Sequence, residues 1–203
     1  MSLNIAIRAL KKDPKLARVI NSVGKYQLKT SRNHYKSLVE TIITQQLSGS
    51  AAKSISKRFQ GLYDKRFPRP SDVIKTPESK LRTAGLSRMK IKYIKELSKN
   101  IESKKLKIRS LSKLSDEEVI TQLTQIKGIG RWTAEMFLIF SLGRMDVLPV
   151  GDLGVQKAVQ LLSSSSKLPT ANEIEKMAEK WRPYRTIATW YLWKSLKKFD
   201  TIG

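Results

Sequence analysis

Apolar residues recur at steps of three and four along most of the chain, which is the spacing of one face of an α-helix. The pattern is clearest over residues 38–43, 119–126 and 177–191, while residues 137–142 are apolar on more than one face, as in a buried helix. Segments that alternate apolar and polar residues, as β-strands do, are nearly absent. The sequence therefore predicts an all-α fold with roughly nine to eleven helices.

Polar residues mark several helix starts. Asp13-Pro14 and Thr76-Pro77 each combine an N-cap side chain with a proline suited to the first turn. Ser115 with Glu118, and Thr170 with Glu173, have the spacing of a capping box, in which the acid follows the cap by three residues. We expect a helix to begin at each of these four places.

The composition limits the chemistry and indicates an anionic partner. The 203 residues include 40 Lys and Arg against 17 Asp and Glu, so the net charge is +23. A globular protein with this excess is expected to bind nucleic acid or an anionic membrane surface. There is no cysteine, which excludes disulfides, zinc–cysteine sites and iron–sulfur clusters. The single histidine, His34, excludes multi-histidine metal sites.

The positive charge is concentrated in the first half of the chain. Residues 1–100 carry a net charge of +17, and residues 101–203 carry +6. A merely solvated surface needs no such imbalance, so we expect this half to bind a polyanion. No apolar run reaches the roughly 18–20 residues of a membrane span, and the polar N-terminus is unlike a secretory signal. We therefore expect an intracellular protein without a membrane anchor, in the cytoplasm and nucleoid or in a nucleus.

The most informative segment is Leu123–Glu135. An apolar helix face runs up to Gly128-Ile129-Gly130, and a second helix pattern starts at once. Two glycines around one aliphatic residue allow a tight turn with Ile129 anchored in the core. Such a turn leaves backbone N–H groups pointing outward at a helix N-terminus, which suits a DNA phosphate. Contacts of this kind position a protein on DNA without reading its sequence.

This segment resembles the helix-hairpin-helix motif of the base-excision DNA glycosylase superfamily. Residues 126–134, Ile-Lys-Gly-Ile-Gly-Arg-Trp-Thr-Ala, are most similar to the alkyladenine branch, the 3-methyladenine DNA glycosylase II group. Residues 42–49, 85–90 and 181–193 resemble further blocks of that branch, in the same order. The resemblance places phosphate-binding groups at Gly128, Gly130, Arg131 and Thr133.

The resemblance also implies a catalytic carboxylate. Asp152, 22 residues after Gly130, stands where the superfamily has its catalytic aspartate. An N3- or N7-alkylated purine carries a positive charge and leaves as a neutral base, so the transition state resembles an oxocarbenium ion. One carboxylate can stabilise that cation or orient a water molecule. From spacing alone, Asp152 could equally be a plain helix N-cap.

The position two residues after Gly130 separates two kinds of glycosylase. Bifunctional members have a lysine there, which forms a Schiff base and leads to strand cleavage. This chain has Trp132, so we expect hydrolysis without lyase activity. By the same resemblance, Trp132 and Trp193 stack on the extruded base, with core packing as the alternative for both. Met136 and Leu153 complete the predicted base pocket and depart from the aromatic residues that relatives often have there.

Two further roles follow from the resemblance. Gln45-Gln46-Leu47 is similar to the loop that wedges into the duplex, with Leu47 as the inserted side chain and core packing as its alternative. Backbone carbonyls of the hairpin are candidate ligands of a structural Na⁺ or K⁺ ion. These are the carbonyls of Thr124, Ile126 and Ile129. No cofactor is expected to be required.

The combined prediction is a monomeric enzyme of two helical lobes, with a helix-hairpin-helix motif and an active-site cleft between the lobes. Residues 33–146 would form a central bundle that carries the hairpin, and residues 1–32 with 147–203 would form a second lobe, with Asp152 and Trp132 facing each other. The expected activity is excision of 3-methyladenine or 7-methylguanine type bases from damaged duplex DNA by base flipping, leaving an abasic site. The alternatives are a glycosylase for deaminated or oxidised bases and a non-catalytic DNA-binding protein.

Overall fold

The structure is a computed structural model that describes residues 3–47, 49–64 and 66–196. Within these ranges it contains twelve α-helices, two 3-10 helices (Ile108–Lys113 and Glu179–Trp181) and no β-strand, which confirms the all-α prediction. The α-helices are α1 (Leu3–Leu10), α2 (Pro14–Val23), α3 (His34–Thr44), α4 (Gly49–Gly61), α5 (Pro70–Lys75), α6 (Glu78–Thr83), α7 (Arg88–Glu102), α8 (Asp116–Thr124), α9 (Arg131–Phe140), α10 (Leu153–Ser163), α11 (Ala171–Ala178) and α12 (Arg185–Ser195).

The helix count over the described ranges exceeds the predicted number because prolines divide one region into short pieces. Pro70 lies in the first turn of α5, and Pro77 directly precedes α6, so the two six-residue helices cannot merge. The expected N-cap at Thr76 is wrong: Thr76 ends α5, and its hydroxyl donates to the Asp72 carbonyl at 2.7 Å. The other three predicted helix starts are confirmed, with side-chain caps at Asp13, Ser115 and Thr170.

Residues 31–142 form one of two compact units. Helix α3 packs against α4, α7 and α9, and α8 packs against α9. The apolar face predicted on α3 is fully buried at Leu38, Ile42 and Ile43, and Phe137 and Leu138 of α9 are fully buried as well. This packing fixes the end of α3 and the start of α9, where the predicted wedge and hairpin lie.

The other unit comprises the described residues among 1–30 and 143–203. Helix α12 packs against α1, α2 and α10. Asp13, the buried N-cap of α2, accepts hydrogen bonds from Trp181 Nε1 and Lys180 Nζ, each at 2.9 Å. Burial alone would raise the pKa of Asp13, but these bonds and one from the Lys15 amide lower that pKa below its ordinary value of 3.8.

The unit boundaries differ slightly from the predicted 33 and 146, and hydrogen bonds explain the difference. The Ser31 amide donates to the Phe140 carbonyl at 2.8 Å, which includes Ser31 in the central unit. Arg185 Nε of α12 donates to Asp146 Oδ1 at 2.8 Å, which ties Asp146 to the other unit. In the described part of the chain, no helix is both long and apolar enough to cross a lipid bilayer.

Candidate nucleic-acid interface and active site

The hairpin is formed by the end of α8, the turn at residues 125–130 and the start of α9. Helix α8 ends at Thr124, four residues before the predicted end at Gly128, because Ile126 already belongs to the turn. Ile126 and Ile129 are buried, and the Ile129 amide donates to the Ile126 carbonyl at 3.0 Å. The expected anchoring of Ile129 in the core is confirmed.

The fold requires glycine at only one of the two glycine positions of the turn. Gly128 has φ +94°, and a Cβ added there would overlap the ring of Tyr93, so the protein itself requires glycine at this position. Gly130 has φ −92°, which any residue adopts, and a Cβ there would meet no described atom within 4 Å. The fold leaves open space beside Gly130, on an exposed part of the hairpin.

Helix α9 begins directly after Gly130, which is its N-cap and provides no side-chain hydrogen bond to the helix. The first amides of α9 therefore lie at the positive end of the helix dipole without a cap from that residue. The side chain of Thr133 is buried and its Oγ1 accepts a hydrogen bond from Gln45 Nε2 at 3.0 Å, so phosphate binding by Thr133 stays a prediction that concerns its backbone amide. An anion at this helix start would meet backbone amides.

Arg131 is held by two carboxylates. Its Nη2 lies 2.6 Å from Glu117 Oε1, and its Nε lies 3.2 Å from Glu135 Oε1. The hydrogen bond with Glu117 is the main reason that the pKa of Arg131 is raised. Arg131 is exposed, as expected for a phosphate ligand, but it must release or share Glu117 to bind one.

An open groove of about 700 Å³ runs beside the hairpin. All three residues predicted to hold a monovalent cation line it, namely Thr124, Ile126 and Ile129. The groove is also lined by Gln46 of the α3–α4 turn and by Lys90 of α7. Of the four predicted phosphate ligands, Gly128 and Gly130 line the same groove, whereas Arg131 and Thr133 do not.

The turn between α3 and α4 carries the predicted wedge, and we call its described residues, 45–47, the wedge turn. Leu47 is 39% exposed, so core packing, the alternative for this residue, is wrong. Gln46 beside it has φ +57°, in the left-handed region that non-glycine residues rarely occupy. An apolar side chain at the tip of a strained turn is available to enter another surface.

Asp152 lies in the other unit, where it is the N-cap of α10. Its Oδ1 accepts hydrogen bonds from the Val155 amide at 2.9 Å and from Trp193 Nε1 at 2.8 Å. Asp152 as a whole residue is 9% exposed. Asp152 therefore is a helix N-cap, as its spacing alone allowed. The second hydrogen bond, from the buried indole of Trp193 on α12, orients the carboxylate in addition.

The predicted pocket residues have different surroundings. Trp193 is 2% exposed and Met136 is 4% exposed, so both side chains are buried. Trp132 is half-buried and Leu153 is 53% exposed. The indole Nε1 of Trp193 donates a hydrogen bond to Asp152, and stacking on a base stays a prediction for both tryptophans.

The sequence matches the family described as HhH-GPD superfamily base excision DNA repair protein over residues 39–183. The chain belongs to this superfamily. It is 37% identical over 193 residues to DNA-3-methyladenine glycosylase 1 of Schizosaccharomyces pombe, covering 93% of this chain and 85% of that protein. The solved structure of the S. pombe 3-methyladenine DNA glycosylase in complex with abasic DNA has a TM-score of 0.87 and 36% identity, over 95% of this chain and 98% of that one. A DNA-3-methyladenine glycosidase from Bacillus halodurans has a TM-score of 0.80 and 38% identity, over 96% and 89%.

The superfamily assignment confirms the resemblance on which the site residues were predicted. In this HhH-GPD chain the hairpin offers backbone amides to an anion, the wedge turn offers an exposed apolar side chain, and α10 begins with an oriented carboxylate. No lysine stands at the position of Trp132, where a Schiff base would form. The chain has the groups that a hydrolytic glycosylase needs, while the role of each residue stays a prediction.

Three residues that support the site could not be assigned from the sequence. Gln45 Nε2 donates to the Gly128 carbonyl and to Thr133 Oγ1, each at 3.0 Å, and Tyr93 packs where Gly128 lacks a side chain. Lys90 Nζ donates to the carbonyls of residues 43 and 45. Gln45 and Lys90 lie inside recognised motifs, but no sequence signal shows which of the many basic residues of α7 turns inward.

Proposed function

We propose that this HhH-GPD protein is a monofunctional DNA glycosylase of the DNA-3-methyladenine glycosylase II type. It hydrolyses the N-glycosidic bond of alkylated purines, such as 3-methyladenine and 7-methylguanine, in duplex DNA and leaves an abasic site for base excision repair. The observation that carries the proposal is the carboxylate of Asp152, held by two hydrogen bonds at the start of α10. The similarity over nearly the whole chain to proteins named 3-methyladenine glycosylases supports the substrate class.

The substrate explains why one carboxylate suffices. A base methylated at N3 or N7 carries a positive charge and leaves as a neutral molecule, so no general acid has to protonate the leaving group. Positive charge then develops on the deoxyribose, and Asp152 stabilises this oxocarbenium ion electrostatically. The hydrogen bond from Trp193 keeps Oδ1 oriented without reorganisation during the reaction.

DNA binding is assigned to the hairpin and the basic surface. The amides at the start of α9 bind a phosphate, and the net charge of +23 draws the protein to DNA. Leu47 enters the duplex to support extrusion of the damaged nucleotide. We infer that the protein acts as a monomer in the compartment that holds the DNA, either a nucleoid or a nucleus.

No resident cofactor takes part in this reaction scheme. Trp132 replaces the lysine of bifunctional relatives, so water, rather than an amine, attacks the sugar. The carbonyls of Thr124, Ile126 and Ile129 line the groove at the hairpin and are the proposed ligands of a structural Na⁺ or K⁺ ion. Oxygen donors suit such an ion, and its role would be to support phosphate binding rather than chemistry.

The experiment that tests this function is base release from a panel of duplexes. We expect free 3-methyladenine and 7-methylguanine from methylated DNA, an intact strand until alkali is added, and no borohydride-trapped adduct above that of heat-denatured protein. Faster release of hypoxanthine or 8-oxoguanine would instead favour the deaminated- or oxidised-base alternative. Tight DNA binding without release of any base would mean a non-catalytic binding protein.

A further inference from the structure

The ammonium group of Lys90 binds backbone carbonyls of the protein itself. Lys90 lies on α7, is half-buried, and its Nζ donates to the Ile43 carbonyl at 2.6 Å and to the Gln45 carbonyl at 2.8 Å. Helix α3 ends at Thr44, so both acceptors lie at the C-terminal end of that helix. A cation there is favoured by the helix dipole and satisfies carbonyls that the ending helix leaves without partners.

Gln45 is anchored a second time through its side chain. Its Nε2 donates to the Gly128 carbonyl and to Thr133 Oγ1, each at 3.0 Å. One residue is therefore held by α7 through its main chain and by the hairpin through its side chain. The wedge turn and the phosphate-binding turn are thereby joined by hydrogen bonds within one unit.

These anchors precede the strained and exposed part of the turn. Gln46 has φ +57°, and the side chain of Leu47 is 39% exposed. A strained backbone persists only where its surroundings determine it. Within the turn, the Leu47 amide donates to the Thr44 carbonyl at 3.0 Å. The hydrogen bonds that connect the turn to α7 and to the hairpin are made by Gln45.

We propose that Lys90, together with Gln45, is a positioning residue that holds Leu47 in register with the hairpin, so that phosphate binding and wedge insertion occur at a fixed spacing along the DNA. The inference rests on the proposed function, because it assigns Leu47 to the duplex. Burial lowers the pKa of Lys90, as expected for an ammonium group that faces carbonyls rather than bulk water. The competing reading is that Lys90 is one more phosphate contact.

The two readings differ in what removal of the amine changes. Lys90→Met keeps most of the length of the side chain and removes the ammonium group that makes both hydrogen bonds. Lys92→Met removes an exposed charge from the same helix and is the matched control. The probe is a duplex with a tetrahydrofuran abasic analogue and 2-aminopurine opposite it, whose fluorescence rises when the wedge unstacks it. Affinity is measured in parallel by anisotropy over a range of salt concentrations.

We expect saturating wild-type protein to raise the fluorescence, and Lys90→Met to lose most of that rise, like Leu47→Ala. For Lys90→Met, the slope of log K against log salt should match that of wild type. The equilibrium constant for wedge insertion should fall by about tenfold, because the hydrogen bonds from the charged amine are lost. Lys92→Met should keep the full fluorescence rise. Gln45→Met, which removes the other anchor, should reproduce the Lys90→Met result and replaces that variant if it does not fold.

Two results would overturn the inference. One is a Lys90→Met variant with the full fluorescence rise and a salt slope reduced by about one, which identifies a phosphate contact. The other is a wild-type protein that binds the duplex without any fluorescence rise, which means that no wedge enters. Neither result depends on base release, so failure of the proposed enzymatic function is detected separately by the lesion panel.

Discussion

The two glycines of the hairpin should respond to alanine in opposite ways. In Gly128→Ala the new methyl group meets the ring of Tyr93 at a backbone φ of +94°. In Gly130→Ala it enters space that no described atom occupies, at an ordinary backbone conformation. The first change should therefore reduce the stability of the protein, and the second should reduce its affinity for DNA.

The magnitudes follow from the geometry. A left-handed conformation costs alanine about 1–2 kcal/mol, and overpacking against the half-buried ring of Tyr93 costs about 1–3 kcal/mol more, so Gly128→Ala should lose roughly 2–5 kcal/mol of unfolding free energy. For a chain of this size that lowers the melting temperature by roughly 5–15 °C. Gly130→Ala should change the unfolding free energy by no more than about 0.5 kcal/mol. If a phosphate lies against the amides there, the added methyl group should weaken duplex binding by at least about tenfold.

Urea unfolding followed by tryptophan fluorescence measures the first quantity, and anisotropy with a labelled duplex measures the second. Each variant is the control for the other, since both add one methyl group to the same turn. The reasoning is refuted if Gly130→Ala binds duplex like wild type, or if both variants lose the same amount of stability.

Three further predictions concern other contacts. Asp13→Asn should be less stable than wild type near neutral pH. Because the folded-state pKa of Asp13 is lowered, this difference should begin to shrink below its ordinary pKa of 3.8 and be lost as pH falls through the folded-state pKa; a pH-independent difference in urea unfolding would contradict the assignment. Trp193→Phe should slow single-turnover excision by about tenfold through the lost hydrogen bond to Asp152, the proposed catalytic residue. The same change at Trp190, whose buried Nε1 has no hydrogen-bond partner in the described structure, should leave excision unchanged, and equal effects would refute the positioning role. Glu117→Gln should raise duplex affinity by up to about fivefold, because it releases Arg131 from an exposed ion pair; weaker binding would mean that the pair itself supports the interface.

Local patterns in the sequence were sufficient to predict much of the fold. Capping residues such as Asp13 and Ser115 act within one turn of the chain, so their spacing alone identifies the helix start. The helix end at Thr124 was missed because Ile126 continues the apolar spacing although it already lies in the turn. Hydrophobic periodicity reports burial, and a buried turn residue has the same signature as a helical one.

The candidate site was predictable where a motif names the residue and unpredictable where distant segments meet. Asp152 and the hairpin glycines follow from spacing and resemblance. The bond from Trp193 to Asp152 spans 41 positions, and that from Gln45 to Gly128 spans 83, so neither leaves a local pattern. The pairing of Arg131 with Glu117 likewise depends on how α8 and α9 pack.

The central claim is that Asp152 stabilises the transition state of alkylpurine excision. The most direct measurement is the single-turnover rate of 7-methylguanine release from a defined duplex by wild type and by Asp152→Asn, which keeps the size of the side chain and removes its charge. Loss of a central electrostatic contribution should slow release by about 10²-fold or more while duplex affinity is retained. A rate within about threefold of wild type, less than 1 kcal/mol in activation free energy, would contradict the account.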